Sequence, residues 1–439
     1  MIGHNFQPWD IFLPVGISFF TFQSMSYVID VYRGDIRPLG SLMDYAFYVS
    51  FFPQLVAGPI VRATDFAPQI RKPVVITREM FAQGVYFILI GLFKKAVISD
   101  YISLNFVDRI FDNPTLYSGF ENLLGVYGYA MQIYCDFSGY SDMAIGIALL
   151  LGFRFPMNFN APYKSDSITD FWRRWHISLS LFFRDYVYIP LGGNRVSFWR
   201  RIGNLLVVWV LTGMWHGAGF NFILWGLYFF LLIVFELVLQ KWMPVLSGKV
   251  HRLPKGCKGF LWRCFPFLRH LYTLIAIYFS WILFRYGDFS ALKKVLLAHF
   301  FVGVRTFADE KTILLFRNHI FLLLLSIVFS SSVFMKMDAI FQDLIARGKL
   351  RKERRERWKE RGVYGIEDEP EPVEEKEREE RRNAEGELQE GIVQEEIVPE
   401  EQSATDLEEE WMRHQRLLRR IQRKTKWRIF LLDYGEKIY

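Results

Sequence analysis

Residues 204–239 read NLLVVWVLTGMWHGAGFNFILWGLYFFLLIVFELVL, with His216 and Glu236 as the ionisable side chains. As one straight helix the stretch would run on the order of 50 Å at about 1.5 Å per residue. The hydrocarbon core of a bilayer is only ~30 Å thick. The segment must therefore tilt strongly, break or turn back. Its glycine cluster, Gly213, Gly217 and Gly219, surrounds His216, so the break is expected there. Irregular backbone at membrane depth survives only where protein or a water-filled cavity satisfies it.

The rest of the chain follows the same pattern. It has 439 residues, 51% hydrophobic and 18% aromatic. Soluble domains reach similar totals, so the distribution is what counts. Apolar segments at about 11–32, 43–59, 80–99, 122–152, 204–239, 268–285 and 313–335 read as membrane segments. Open sheet edges cannot face lipid. The fold class expected for residues 1–340 is therefore all-α, a polytopic transmembrane helical bundle. Residues 122–152 are, like 204–239, too long for one crossing, and they hold Asp136, Ser138, Gly139, Ser141 and Asp142. No basic leader with a short apolar core and a cleavage site is read at the N-terminus.

The net charge of +7 is not a nucleic-acid signal. Basic pairs at Arg71–Lys72, Lys94–Lys95, Arg173–Arg174 and Arg200–Arg201, with Lys255 and Lys258, read as loops between apolar runs. Positive loops favour the cytoplasmic face, but here nearly every loop is basic and orientation is left open. Cys135, Cys257 and Cys264 have no paired spacing, which gives neither a disulfide framework nor a metal knuckle. Residues 341–439 form a charged C-terminal tail, basic at 347–361, acidic at 367–410 and basic again at 413–428. Such blocks read as solvated helix or disorder. Leu407, Trp411, Leu418 and Ile421 add a weak apolar stripe that would suit anionic lipid or the acidic block.

Two histidines could do chemistry. An ionisable residue inside a membrane segment is costly and usually faces a polar interior, and histidine accepts a proton near neutral pH. That describes His216, though a helix-end histidine at the headgroup boundary has the same signature. His176 lies in Ser167–Phe183, which reads as one amphipathic helix capped by Asp170 or Thr169. Phe171, Trp175, Leu179 and Phe182 share one side of it, and Arg173, His176 and Ser180 another. From its position alone, anchoring at headgroups is the favoured reading of such a histidine. There is no His-Glu-x-x-His pattern and the histidines are not at i, i+4 spacing, so no metal site is expected. Asp136 and Asp142 need partners in an apolar stretch, for which Arg173, Arg174 and Arg184 are candidates.

Phe171–Ser180, FWRRWHISLS, continues into RDYVYIPLGGNR at Arg184–Arg195. This stretch resembles the signature of the membrane-bound O-acyltransferase family, in particular its alginate-type branch. LPVGISFFTFQ at Leu13–Gln23, FFPQLVAGPI at Phe51–Ile60, YCDFSGYSD at Tyr134–Asp142 and GMWHGAGFN at Gly213–Asn221 are similar to further family motifs. The resemblance runs from about residue 11 to the last membrane segment. A D-alanyl transfer protein of teichoic acid synthesis shares the fold, but YIPLGG at Tyr188–Gly193 is closer to the alginate-type branch.

The resemblance implies an O-acyltransferase, with His216 as the invariant active-site histidine and His176 as its companion. Arg173, Arg174, Asn221 and Asp136 are the candidate substrate-binding residues. It also implies a tunnel or funnel through the membrane and no bound cofactor. The donor substrate would be acetyl-CoA or another acyl thioester. The acceptor would be a hydroxyl of an exported, alginate-like polysaccharide, or a relay protein such as a periplasmic or extracellular acyltransferase partner. The setting would be the bacterial plasma (inner) membrane, surrounded by lipid, without nucleic acid. Family members usually carry further membrane helices before the Leu-Pro-Val-Gly segment, so a truncated, inactive member is one alternative. A transporter or flippase of an acylated carrier is the other, since buried histidines and carboxylates also serve proton relays.

Overall fold

The computed structural model describes residues 16–250, 255–304, 306–334 and most of 336–353. The chain divides into two units, Met1–Ile345 and Ala346–Tyr439. Apart from a few positions before 354, the charged tail and its apolar stripe lie outside the described residues. Among the described residues there is helix and loop but no strand. The protein is an all-α polytopic membrane protein.

The helices of the first unit begin with α1 (Ile17–Arg33), α2 (Leu42–Ser50), α3 (Phe52–Leu55) and α4 (Ala63–Ile70). The expected segment 43–59 is thus not one helix. Pro53 has no N–H to continue the helix onto the Val49 carbonyl, and Phe51 lies extended between α2 and α3, at φ −61° and ψ 106°. Next come α5 (Arg78–Asp112), with widened turns at Phe93–Ser99 and Ser103–Val107, and α6 (Gly119–Leu150). Two short helices follow, α7 (Ile168–Arg174) and α8 (Ile177–Phe183). Then come α9 (Phe198–His216), α10 (Phe220–Val250), α11 (Lys255–Arg285), α12 (Phe289–His299) and α13 (Glu310–Ser330).

Among the described residues, four helical stretches are long and apolar enough to cross a membrane: Arg78–Asp112, Phe220–Lys241, Phe265–Arg285 and Glu310–Ser330. Their outer faces expose Leu89, Leu231, Ile275, Phe321 and Leu324. So much outward apolar surface fits lipid rather than water.

The long segment 204–239 breaks where its glycines lie. α9 ends at His216 and α10 begins at Phe220. Gly217 between them has φ 155° and ψ 171°, a backbone region essentially reserved for glycine. By contrast, residues 122–150 belong to one unbroken helix. The 32 residues of α6 reach about 48 Å. The helix lies at the centre of the core and is buried along most of its length, so its polar groups meet protein and lipid does not limit it.

α5 packs antiparallel to α6 with backbones nearly touching. A Cβ at Gly91 would sit 2.4 Å from the Gly139 carbonyl oxygen, and one at Gly146 2.6 Å from that of Gly84. Only a side chain of hydrogen permits this approach. It also settles the carboxylates of α6. Lys94 and Lys95, expected in a loop, lie inside α5. Lys94 Nζ is 2.7 Å from Asp142 and Lys95 Nζ 2.5 Å from Asp136. These lysines, rather than Arg173, Arg174 or Arg184, are the partners. Arg174 instead pairs with Asp170 and Arg184 with Asp185.

Candidate active site

The expected helix 167–183 is interrupted at its histidine. α7 stops at Arg174, and His176 takes the left-handed conformation, φ 45° and ψ 55°, before α8 starts. The preceding loop stitches the break together. Asn160 N–H donates to the Arg174 carbonyl and Ile177 N–H to the Asn158 carbonyl, both at 2.9 Å. The i, i+3, i+7 face of Arg173, His176 and Ser180 therefore does not exist. His176 is 1% exposed, while Phe171, Trp175, Leu179 and Phe182 are core residues as expected.

The start of α7 also differs from the expectation. Its cap is Ser167, whose Oγ accepts from Asp170 N–H at 3.0 Å. Glu236, from α10, supplies the rest. Its carboxylate accepts from Ile168 N–H at 2.5 Å, and from Thr169 N–H at 3.1 Å and Thr169 Oγ at 2.7 Å. Phe171 N–H bonds the Ser167 carbonyl at 2.9 Å, so all four first-turn N–H groups are satisfied. Glu236 is 7% exposed, and its carboxylate lies at the N-terminal, positive end of the α7 dipole.

His216 ends α9 at the glycine break. Its ring lies 4.9 Å from Trp225, 5.2 Å from Phe284 and 6.2 Å from Phe222, between centroids. His176 lies 4.7 Å from Phe137 and 6.2 Å from Phe19. One residue touches both imidazoles: the Trp215 indole is 5.7 Å from His176 and 4.7 Å from His216. Forty residues apart in sequence, the two histidines meet one indole. Each Nε2 is buried and lacks a hydrogen-bond partner among the described residues.

The other candidates are spread more widely. Asn221, 7% exposed, opens α10 just past the break and donates to the Phe284 carbonyl at 3.1 Å. Phe284 also faces His216, so Asn221 belongs to that wall. Arg173 and Arg174 lie on α7, half-buried. Asp136 is ion-paired with Lys95, while its neighbour Phe137 carries the contact to His176. Sequence reading passed over Trp215, Phe137, Asn158 and Ser178. The last two bond to each other beside His176. Asn158 sits in an aperiodic loop, so no spacing pointed to it. Among the described residues no three His, Cys, Asp or Glu side chains converge in a metal-holding group.

On the far side of His176, Arg62 and Arg184 flank Asp185, each 2.5 Å from it. Burial pushes the Asp185 carboxyl up, but the two guanidinium groups outweigh it and hold it below the usual carboxylate range. Tyr186 donates to Asp30 of α1 at 2.7 Å. These bonds tie the turn after α8 to α1 and fix the position of the histidine segment from outside.

A family model described as MBOAT, membrane-bound O-acyltransferase family, matches residues 35–254. The chain is 41% identical over 295 residues to the protein named "Probable alginate O-acetylase AlgI" of Pseudomonas aeruginosa, covering 67% of this chain and 52% of that protein. It is 38% identical over 319 residues to a peptidoglycan O-acetyltransferase of Helicobacter pylori, covering 66% and 58%. To a teichoic acid D-alanyltransferase of Bacillus subtilis it is 33% identical over 254 residues, covering 54% and 62%. The chain thus spans between 52% and 62% of the length of these relatives.

Proposed function

From its place in the membrane-bound O-acyltransferase family, to which the chain belongs, we propose that it moves an acyl group, acetyl in the first instance, from a thioester such as acetyl-CoA to a hydroxyl. The acceptor is an exported polysaccharide, alginate-like, or a relay protein that completes the transfer outside. The relatives are named for alginate, peptidoglycan and teichoic acid, all polymers with free hydroxyls. They are bacterial, which supports the bacterial inner membrane as the location.

The observation that carries the reading is the pair of imidazoles on one indole, each with a bare Nε2 among aromatic walls. A few polar atoms in an apolar setting is the usual make-up of a small-molecule site. In the reaction, the acceptor hydroxyl gives its proton to an imidazole Nε2 as its oxygen attacks the thioester carbonyl carbon. The carbon–sulfur bond breaks and the leaving thiolate takes up the proton. His216, at the glycine break, is the base or positions the hydroxyl. His176 assists binding or proton transfer. Asn221, Arg173, Arg174 and Asp136 remain the candidates for holding substrate.

The test is thioester cleavage and acyl transfer by the purified full chain in lipid vesicles, with and without a candidate polysaccharide. His216→Ala should lower transfer by about 10²–10⁴-fold, the range of general-base help, with insertion and abundance unchanged. His176→Ala should lower it less. Normal transfer by His216→Ala would overturn the mechanism. Movement of a pre-acylated carrier without thioester cleavage would point to a transporter instead.

A further inference from the structure

We propose that Asn158 is a positioning residue that fixes His176 as the Nδ1–H tautomer, leaving Nε2 as the proton acceptor in the site. The backbone N–H of Ser178 can only donate, and it meets Oδ1 of Asn158 at 3.2 Å. That sets which end of the amide is oxygen. Ser178 Oγ accepts from Ile60 N–H at 2.9 Å and donates to the same Oδ1 at 2.9 Å. At the other end, Asn158 Nδ2 donates to Ser141 Oγ at 3.1 Å.

His176 Nδ1 lies 3.2 Å from this Oδ1. An amide oxygen has no proton to give, so Nδ1 must carry one. In the neutral ring the lone pair is then on Nε2, the atom that has no partner among the described residues. The bond made by one ring nitrogen decides what the other can do. Asn158 acts at two levels, since its backbone carbonyl also receives Ile177 N–H and holds His176 in its left-handed turn. Phe137 and Phe19 pack on the ring and oppose a flip.

What Nε2 accepts rests on the acyl-transfer reading, whereas the tautomer does not. The experiment therefore has two arms. In the first, the full chain carrying ¹⁵N-histidine is studied in lipid vesicles by solid-state NMR, with the His176→Gln spectrum assigning the His176 signals. A protonated Nδ1 and a bare Nε2 are expected, giving way to mixed tautomers in Asn158→Leu. In the second, transfer is followed against pH. Asn158→Leu should lower kcat by about 10-fold or more with little change in KM. Asn158→Asp keeps the acceptor and should keep the tautomer. Its carboxylate favours the imidazolium, so the acid limb of its pH profile should move to higher pH, with transfer recovering in base.

A protonated Nε2 in the unsubstituted protein, or an Asn158→Leu protein with unchanged tautomer and pH profile, overturns the proposal. If Asn158→Leu fails to fold, the native spectrum and the Asn158→Asp pH shift decide it. The expected tautomer in a protein that transfers nothing would leave Asn158 in place and remove the acyl-transfer reading.

Discussion

His176 adopts φ 45° and ψ 55°, a conformation that side chains other than glycine rarely take. For an L-residue the left-handed region costs about 1–2 kcal/mol, and here two backbone hydrogen bonds from the loop 158–160 hold it. Strain of this kind gathers at functional sites. His176→Gly should therefore be more thermostable than His176→Ala by roughly 1 kcal/mol, read from thermal unfolding in matched lipid or detergent. Both should be impaired in transfer. A more stable alanine variant would mean that the backbone is not held as described. At this scale the sequence named the two histidines through composition and motif, but not Trp215 or Asn158. Tryptophan is common in this chain, 13 residues in all, and an asparagine in an irregular loop carries no periodic signal.

Among the elements, α7 depends most on a distant residue. It has only seven residues, too few to be stable alone, and its first turn is satisfied by Ser167 and the Glu236 carboxylate. Glu236→Leu would strand the N–H groups of Ile168 and Thr169 and the Thr169 hydroxyl. A buried donor left without an acceptor costs about 1–3 kcal/mol. Thermal stability and transfer should fall together, because α7 leads directly into His176. Glu236→Gln, which keeps one oxygen acceptor, should fall between Glu236→Leu and the unsubstituted protein. Equal stability of all three proteins would show that α7 is held by its aromatic side chains alone. Glu236 was visible in the sequence as a lone charge near the end of an apolar run. Its partner was not, because Ile168 and Thr169 bond through backbone N–H groups that every residue except proline possesses.

For the whole molecule, the acidic block offers little apolar surface to bury, and removing it tests where function resides. Deleting residues 362–405 should leave acyl transfer largely intact, measured in vesicles at matched protein levels. Loss of transfer in a protein still inserted normally would show that the tail takes part. The amino-acid sequence by itself determined the helical membrane class, the break beside His216 and the family. Each follows from a local property: run length against bilayer thickness, glycine's freedom of backbone, or a contiguous motif. Tertiary structure alone decided that α6 stays whole, that Lys94 and Lys95 neutralise its carboxylates, that His176 sits in a break rather than on a helix face, and that both histidines meet Trp215. The physical reason is the same in each case. Ion pairs, caps and ring contacts between distant segments depend on how helices approach each other, and that approach is set by packing, such as the near contact at Gly91 and Gly139, which no local periodicity encodes.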